Sequence, residues 1–139
     1  MSITEHELRM VQACLDRLRD DFDTRSMYFY DALFTRAPHL KSMFRDDLAG
    51  QGMKFMSTLD TIVLKLDNED ALASRYKGLG DMHATIGVEA ADFQPMEEAL
   101  IDTMRDALGD DFTPELETAW RKAYAIVSEN MIRRGGMTR

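Results

Sequence analysis

Apolar residues recur every three or four positions through almost the whole of this chain. The clearest stripe runs from Gln51 to Leu66, where the large apolar side chains fall on one face of a helix. The same spacing returns in several other segments, and no segment alternates apolar and polar residues as a half-buried strand does. The pattern predicts an all-α fold of six to eight helices with short connections.

Local signals predict where several of these helices begin. Thr4 and Glu7 have the spacing of a capping box, and Thr113-Pro114 combines a capping residue with proline at the first helical position. One of the aspartates from Asp20 to Asp23 is expected to cap the second helix. A polar loop is expected from Arg45 to Gly50.

The size and charge of the chain restrict its class. Its 139 residues suit a single domain covering 1–139, and an apolar content of 45% is enough to fill one core. We find no apolar run of membrane-spanning length and no signal-like start, which predicts a cytoplasmic protein with no membrane partner. A net charge of −8 opposes binding to nucleic acid, since such binding requires cations that neutralise phosphates.

Cysteine and histidine are scarce. Cys14 is the only cysteine, which excludes an internal disulfide and multi-cysteine metal sites, and we expect a partly buried, inert thiol. Of the three histidines, His6 lies in a capping turn and His39 follows a proline, so both are expected to be exposed or hydrogen-bonded structural residues. His83 lies near the end of a helical segment; on its own it is a weak sign of a metal ligand.

Three blocks of the sequence resemble the globins. The resemblance is to the single-domain bacterial haemoglobins and the globin domain of flavohaemoglobins, and it extends from about Glu7 to Arg134. The blocks are Phe29-Tyr30-Asp31-Ala32-Leu33-Phe34 with Pro38, Leu40 and Phe44; Gln51-Gly52-Met53-Lys54-Phe55; and Leu79-Gly80-Asp81-Met82-His83 with Gly87-Val88 and Trp120-Arg121-Lys122-Ala123-Tyr124. The resemblance implies a globin fold whose helices pack around a haem pocket.

The same resemblance implies haem b (protohaem IX) with His83 as the proximal iron ligand. Tyr30 and Gln51 would face a bound gas from the distal side, where O–H and N–H donors stabilise the partial negative charge on bound O2. Phe44 would pack flat on the haem and Phe55 would roof the pocket. As alternatives, Phe44 is a plain core residue and Gln51 a solvent-facing helix residue.

Other residues receive weaker assignments. Val88 would line the pocket beside the haem. Lys54, Arg75 and Lys77 are candidates to meet the haem propionates, with a plain solvated charge as the alternative for each. Met53 or Lys54 could occupy the sixth iron position when no gas is bound, so that the iron would be pentacoordinate or weakly hexacoordinate.

The sequence departs from the flavohaemoglobin pattern on the proximal side. There, a tyrosine and a glutamate form a network with the histidine; here the corresponding positions read Phe93 and Arg133-Arg134-Gly135. Without a carboxylate partner, His83 is expected to donate its other N–H to a backbone carbonyl, which argues against strong peroxidase-like activity.

Four functions follow from these residues. The first is reversible binding of O2, and of CO and NO, for oxygen transport or storage, in a monomer or homodimer. The second is an enzyme, an NO dioxygenase supplied with electrons by a separate reductase, since no Gly-rich phosphate-binding turn is present. A gas sensor with a partner protein is the third. A haem-free helical interaction module is the fourth, and His83, Phe44 and Tyr30 argue against it.

Overall fold

The computed structural model describes residues 3–43, 48–66, 68–85 and 87–135, with the backbone alone for 48–53, 69 and 85. The described residues form six α-helices, and short 3-10 helices follow the first, second, fourth and fifth of them. The helices are α1 (Glu5–Leu18), α2 (Phe22–Arg36), α3 (Leu48–Leu64), α4 (Glu69–Thr85), α5 (Phe93–Leu108) and α6 (Pro114–Arg134). The all-α fold predicted from apolar spacing is confirmed.

The predicted starts of α1 and α6 are confirmed by their hydrogen bonds. The Glu7 amide donates to the Thr4 hydroxyl at 3.1 Å, and the Thr4 amide donates to the Glu7 carboxylate at 3.0 Å. At α6 the Leu116 amide donates to the Thr113 hydroxyl at 3.2 Å, and Pro114 occupies the first turn. Each bond satisfies an amide that the helix itself leaves without an acceptor.

Two predicted boundaries are wrong. Asp21 lies at the N-cap of α2 but makes no capping bond, because its φ of −111° and ψ of 16° lie outside the extended region that a capping side chain requires. The predicted loop from Arg45 to Gly50 is too long, since α3 already begins at Leu48. Leucine and alanine at 48 and 49 are good helix formers and extend the helix into the polar segment.

The helices pack in two groups around one core. Helix α2 packs against both α5 and α3, whereas α4 packs mainly against α6, and α1 contacts α6 and α3. Trp120 on α6 is only 1% exposed and is among the largest fully buried side chains. Helices α2 and α3 therefore lie in direct contact with each other, and α4 lies against α6.

The backbones of α4 and α6 approach closely at two glycines. A Cβ atom added to Gly80 would lie 2.3 Å from the Met131 carbonyl oxygen and 2.8 Å from the Gly135 Cα. A Cβ atom added to Gly135 would lie 2.5 Å from the Gly80 Cα. No side chain fits at either position, and this contact sets how deeply α4 sits against the end of α6.

The buried thiol behaves as expected from the sequence. Cys14 lies in the core with its sulfur 3.8 Å from the Met104 sulfur, and burial raises the pKa of the thiol. The described residues contain no cluster of three or more His, Cys, Asp or Glu side chains arranged to hold a metal ion. None of the described helices is long and apolar enough to cross a lipid bilayer.

Candidate functional site

An aromatic group on α2 and α3 forms the first part of the site. The rings of Phe29 and Phe55 stack with centroids 4.6 Å apart and an interplanar angle of 15°. Tyr30 lies 5.7 Å from Phe29 and stacks on Phe34 at 5.9 Å. Phe55 is half-buried, so its ring closes the group on the α3 side. Because neighbouring α2 residues anchor these rings, the Tyr30 side chain has a fixed place among apolar neighbours.

The Tyr30 hydroxyl is kept protonated by its surroundings. The residue is 3% exposed, and burial raises the pKa of Tyr30 to about 12. Removing the phenol from water disfavours its charged form, so the O–H persists at any physiological pH. A phenol in this state can donate a hydrogen bond to a small polar ligand.

His83 lies in the last turn of α4 with its ring orientation fixed. Its Nδ1 lies 2.6 Å from the Leu79 carbonyl oxygen one helical turn earlier. A carbonyl can only accept, so Nδ1 carries the proton and Nε2 carries the lone pair. The structure thus gives the backbone-carbonyl partner expected from the sequence, and the ring is the tautomer that a metal ion requires at Nε2.

Phe93 packs near the His83 ring, and Val88 bonds to the His83 backbone. The Phe93 ring lies 6.0 Å from the His83 ring, tilted by 50°. Val88 is buried, and its amide donates to the His83 carbonyl at 2.9 Å. Gly87, which lies between His83 and Val88, turns the chain with a φ of +97°, an angle that glycine adopts without strain. The Tyr124 hydroxyl donates to the Phe93 carbonyl at 2.7 Å and anchors the start of α5.

Asp92 is a residue of this region that sequence reasoning missed. It is 8% exposed, and one carboxylate oxygen accepts the Glu89 amide at 3.0 Å. The other oxygen lies 2.9 Å from Nε2 of His39, which belongs to the 3-10 helix Pro38–Met43. The spacing of Glu89 and Asp92 matches a capping box and could have revealed the local bond. Nothing in the sequence points to His39 as the distant partner.

The remaining candidates fall into three groups. Phe44 lies outside the described residues, and Gln51 and Met53 lie on α3 with side chains that are not described. Lys54 and Arg75 are exposed. Lys77 forms an ion pair with Asp81 at 2.8 Å. His6 is exposed and pairs with Glu115 at 3.0 Å, as expected for a surface histidine.

The end of α6, where the flavohaemoglobin pattern would place a glutamate, reads Arg133-Arg134-Gly135. Gly135 lies against Gly80, and the two preceding arginines both donate to the Asn130 side-chain oxygen, at 2.7 Å from Arg133 and 3.1 Å from Arg134. The two arginines therefore form hydrogen bonds within the last turns of α6, and Gly135 packs against α4. His83 has Leu79 as its hydrogen-bonding partner.

Comparison with known proteins gives the family. The family model described as Globin matches residues 28–131, which is more than half of the chain and includes Tyr30, His83 and Phe93. This chain belongs to the globin family. The matched segment runs from α2 to α6, and the single-domain haemoglobin resemblance noted from the sequence is confirmed at the level of the family.

The relatives of this globin come from bacteria and plants. It is 23% identical over 137 residues to a flavohemoprotein of Vibrio cholerae, covering 96% of this chain and 35% of that protein. It is 29% identical over 137 residues to an anaerobic nitrite reductase of Brassica napus, covering 87% of this chain and 84% of the relative. It is 27% identical over 131 residues to a leghemoglobin of Psophocarpus tetragonolobus, covering 87% of this chain and 90% of the relative. The globin thus spans about a third of the flavohemoprotein and most of the two plant proteins.

Proposed function

We propose that this globin binds haem b through His83 and reversibly binds O2, and also CO and NO, as an oxygen carrier or store. The observation that carries the proposal is the bond from His83 Nδ1 to the Leu79 carbonyl at 2.6 Å. This bond directs the proton to Nδ1 and leaves the Nε2 lone pair available to an iron ion. Bound at this place, haem would supply the iron to which the gas binds.

The surroundings of His83 suit a flat apolar cofactor. Phe93 is buried beside the imidazole, and Val88 is buried five residues after His83. The aromatic group on α2 and α3 offers further apolar surface. Proteins named flavohemoprotein and leghemoglobin among the relatives support the choice of haem. Phe44 on the haem face and Lys54 at a propionate are part of the proposal as sequence-based assignments.

Tyr30 would hold the bound gas on the distal side. Its buried, protonated hydroxyl can donate to O2, which carries partial negative charge when bound, and one such bond contributes about 1–3 kcal/mol. Gln51 on α3 would add a second donor, and Phe55 would keep water out of the pocket. CO carries less charge and would gain less from the same donors.

The proximal hydrogen bond favours binding over oxidative chemistry. A neutral carbonyl withdraws the Nδ1 proton from imidazole much less than a carboxylate would, so His83 remains an ordinary neutral ligand. Strong electron donation from the proximal side favours O–O bond cleavage. With the Leu79 carbonyl as the acceptor, we propose that the protein binds gas. We also propose that it consists of a single domain and works in the cytoplasm.

Substitution of His83 tests the assignment directly. His83→Ala should abolish stable haem uptake, whereas His6→Ala, at an exposed histidine paired with Glu115, should leave it unchanged. Imidazole added to the His83→Ala protein should restore haem binding, because it replaces the lost ligand without altering the fold. Absorption spectra of the ferric, ferrous and CO forms measure haem binding in His83→Ala, in His6→Ala and in His83→Ala with imidazole. A normal five-coordinate ferrous spectrum in His83→Ala would contradict the proposal.

NO dioxygenation is an alternative function for the same residues, and the similarity to a flavohemoprotein is the reason for testing it. Both activities need a stabilised O2 complex, so Tyr30 would serve either. The discriminating measurement is NO consumption with an external electron donor. Repeated turnover would support the enzyme, and a single stoichiometric reaction would support the carrier.

A further inference from the structure

One hydrogen bond and one close approach join the chain after α4 to the 3-10 helix Pro38–Met43, which follows α2. His39 Nε2 donates to Asp92 at 2.9 Å. Four residues further along the same 3-10 helix, the Met43 methyl group lies 3.7 Å from the place a Cβ would take at Gly87. We call the segment from Gly87 to Asp92 the proximal corner. It is therefore hydrogen-bonded to the 3-10 helix Pro38–Met43, which is far away in sequence.

The proximal corner lies in the chain between His83 and Phe93, whose rings are 6.0 Å apart. The buried Val88 and the Glu89 amide, which donates to Asp92 at 3.0 Å, both belong to it, and Phe93 follows it directly. Asp92 thus has two roles, because one oxygen closes the corner internally and the other attaches it to His39. Phe93 directly follows Asp92 in the chain. A loss of the hydrogen bond between His39 and Asp92 would therefore act on Phe93 through a single peptide unit.

The two partners of this bond differ in their contact with water. The Asp92 side chain is 11% exposed, whereas the His39 side chain is 62% exposed. A buried carboxylate keeps its hydrogen bonds and gains from a charged donor, since charge-assisted bonds are about twice as strong as neutral ones. An imidazole that takes up a second proton becomes a charged donor, and its bond to a carboxylate is then charge-assisted.

We propose that His39 and Asp92 are positioning residues that hold the proximal corner, with Val88 and Phe93, against His83, and that they hold it more tightly when His39 is protonated. The inference rests on the proposed function, since it takes His83 as the haem ligand. It predicts that haem retention in this globin depends on pH through a histidine that does not touch the haem.

Other charged groups on the neighbouring elements have their own roles. Arg36 at the end of α2 pairs with Asp102 at 2.7 Å. Glu89 on the corner is part of the capping box, and Lys41 is exposed on the same 3-10 helix as His39. Among the residues that the structure describes, Asp92 is the carboxylate that forms an ion pair with His39.

Haem loss to an excess of an apoprotein acceptor tests the coupling. The rate for His39→Gln, divided by the rate for the wild type, should rise about two- to fivefold between about pH 8.5 and pH 6, because the charged bond exists only in the wild type. Asp92→Asn, which removes the acceptor charge, should show the same rise. Taking the ratio cancels every effect of pH on haem loss that the variants share with the wild type.

His6→Gln is the matched control. His6 also pairs with a carboxylate, Glu115 at 3.0 Å, but on the exposed faces of α1 and α6. Its ratio to the wild type should stay flat over the same pH range. A flat ratio for His39→Gln, or an equal rise for His6→Gln, overturns the proposal.

A second measurement separates failure of this inference from failure of the proposed function. Nitrogen chemical shifts of the His39 ring should show the proton on Nε2 at high pH in the wild type and a loss of this preference in Asp92→Asn. This reading does not depend on haem. If His83→Ala retains haem normally, the proposed function fails whatever His39 does. If His39 shows no Nε2 preference while His83 binds haem, the inference alone fails.

Discussion

The position of one proton decides what His83 can bind. With the proton on Nδ1, held by the Leu79 carbonyl at 2.6 Å, the lone pair lies on Nε2. The proton on Nε2 would leave nothing there for iron to bind. Under the proposed function, selectivity for one gas over another would depend on a second proton, the one on the buried Tyr30 hydroxyl.

Replacing that hydroxyl should alter O2 binding selectively. Tyr30→Phe removes one donor without changing the ring that stacks on Phe34, so O2 dissociation should be faster by about tenfold or more. CO dissociation should change much less, since bound CO accepts hydrogen bonds weakly. Stopped-flow measurement of both rates checks this.

Tyr28 supplies the control on the same helix. It is 38% exposed, and Tyr28→Phe should leave both dissociation rates unchanged. An O2 dissociation rate in Tyr30→Phe equal to that of the wild type would mean that Tyr30 does not face the ligand.

The parts of the site that could be predicted are those with local causes. The resemblance marked His83, Tyr30 and Phe93, whose roles at a haem stay predictions. The carbonyl partner of His83, expected from the residue types on the proximal side, is present in the structure. The His39–Asp92 pair could not be predicted, because its members are 53 positions apart and neither has an unusual sequence context. Such a contact depends on the packing of elements, which spacing alone does not reveal.

Among the elements, α4 is positioned by its glycine contact with α6. At Gly80 the nearest atom to an added Cβ is a backbone oxygen at 2.3 Å, which cannot move aside as a flexible side chain can. Helix α4 also carries His83, so the contact fixes the depth of the imidazole in the molecule. Apolar periodicity predicted this helix but gave no sign of which helix it touches.

Two alanine substitutions in α4 should have opposite effects. Gly80→Ala should lower the free energy of unfolding by about 2 kcal/mol or more, since the helices must separate to admit a methyl group. Gly78→Ala, where an added Cβ meets nothing within 4 Å, should raise it by about 0.5–1 kcal/mol through helix propensity. Urea unfolding of the holo-protein measures both. Equal effects of the two substitutions would show that the close approach is absent in solution.

Helix starts were predicted correctly where the capping residue has the extended backbone angles that its side chain needs to bond the first turn. Thr4 and Thr113 cap as expected because both have extended angles before the first turn. Asp21 does not cap because a 3-10 turn leads into α2 and leaves its backbone in another conformation. The sequence of the aspartate run carries no information on that difference.

At the scale of the whole molecule, the first and last helices are joined by ion pairs. Lys122 on α6 bonds to Glu7 on α1 at 2.7 Å, and Arg17 bonds to Asp111 just before α6 at 3.0 Å. The hydrogen bond from Lys122 and the amide of Thr4 lower the pKa of Glu7 from 4.5 to about 2. A carboxyl with a lowered pKa stabilises the fold above its ordinary pKa and loses this effect as the pH falls through the lowered value.

Glu7→Gln should therefore be less stable than the wild type at neutral pH. The difference between their urea midpoints should shrink as the pH falls below about 4.5 and should vanish towards pH 2. Glu5→Gln is the control, because Glu5 pairs with Arg9 in an exposed position on the same helix and should change the midpoint little. A difference for Glu7→Gln that stays constant over this range would contradict the assigned cause.

The contact between Gly80 and Gly135 has a consequence for how this protein could change. In flavohaemoglobins a glutamate near the end of the last helix pairs with the proximal histidine, and here the same region holds a glycine pressed against α4. A glutamate cannot be introduced at 135 by one substitution, since even a methyl group would lie 2.5 Å from the Gly80 Cα. The two helices would first have to move apart, which would displace His83. A carboxylate at position 135 would therefore require the crossing of α4 and α6 to be redesigned first.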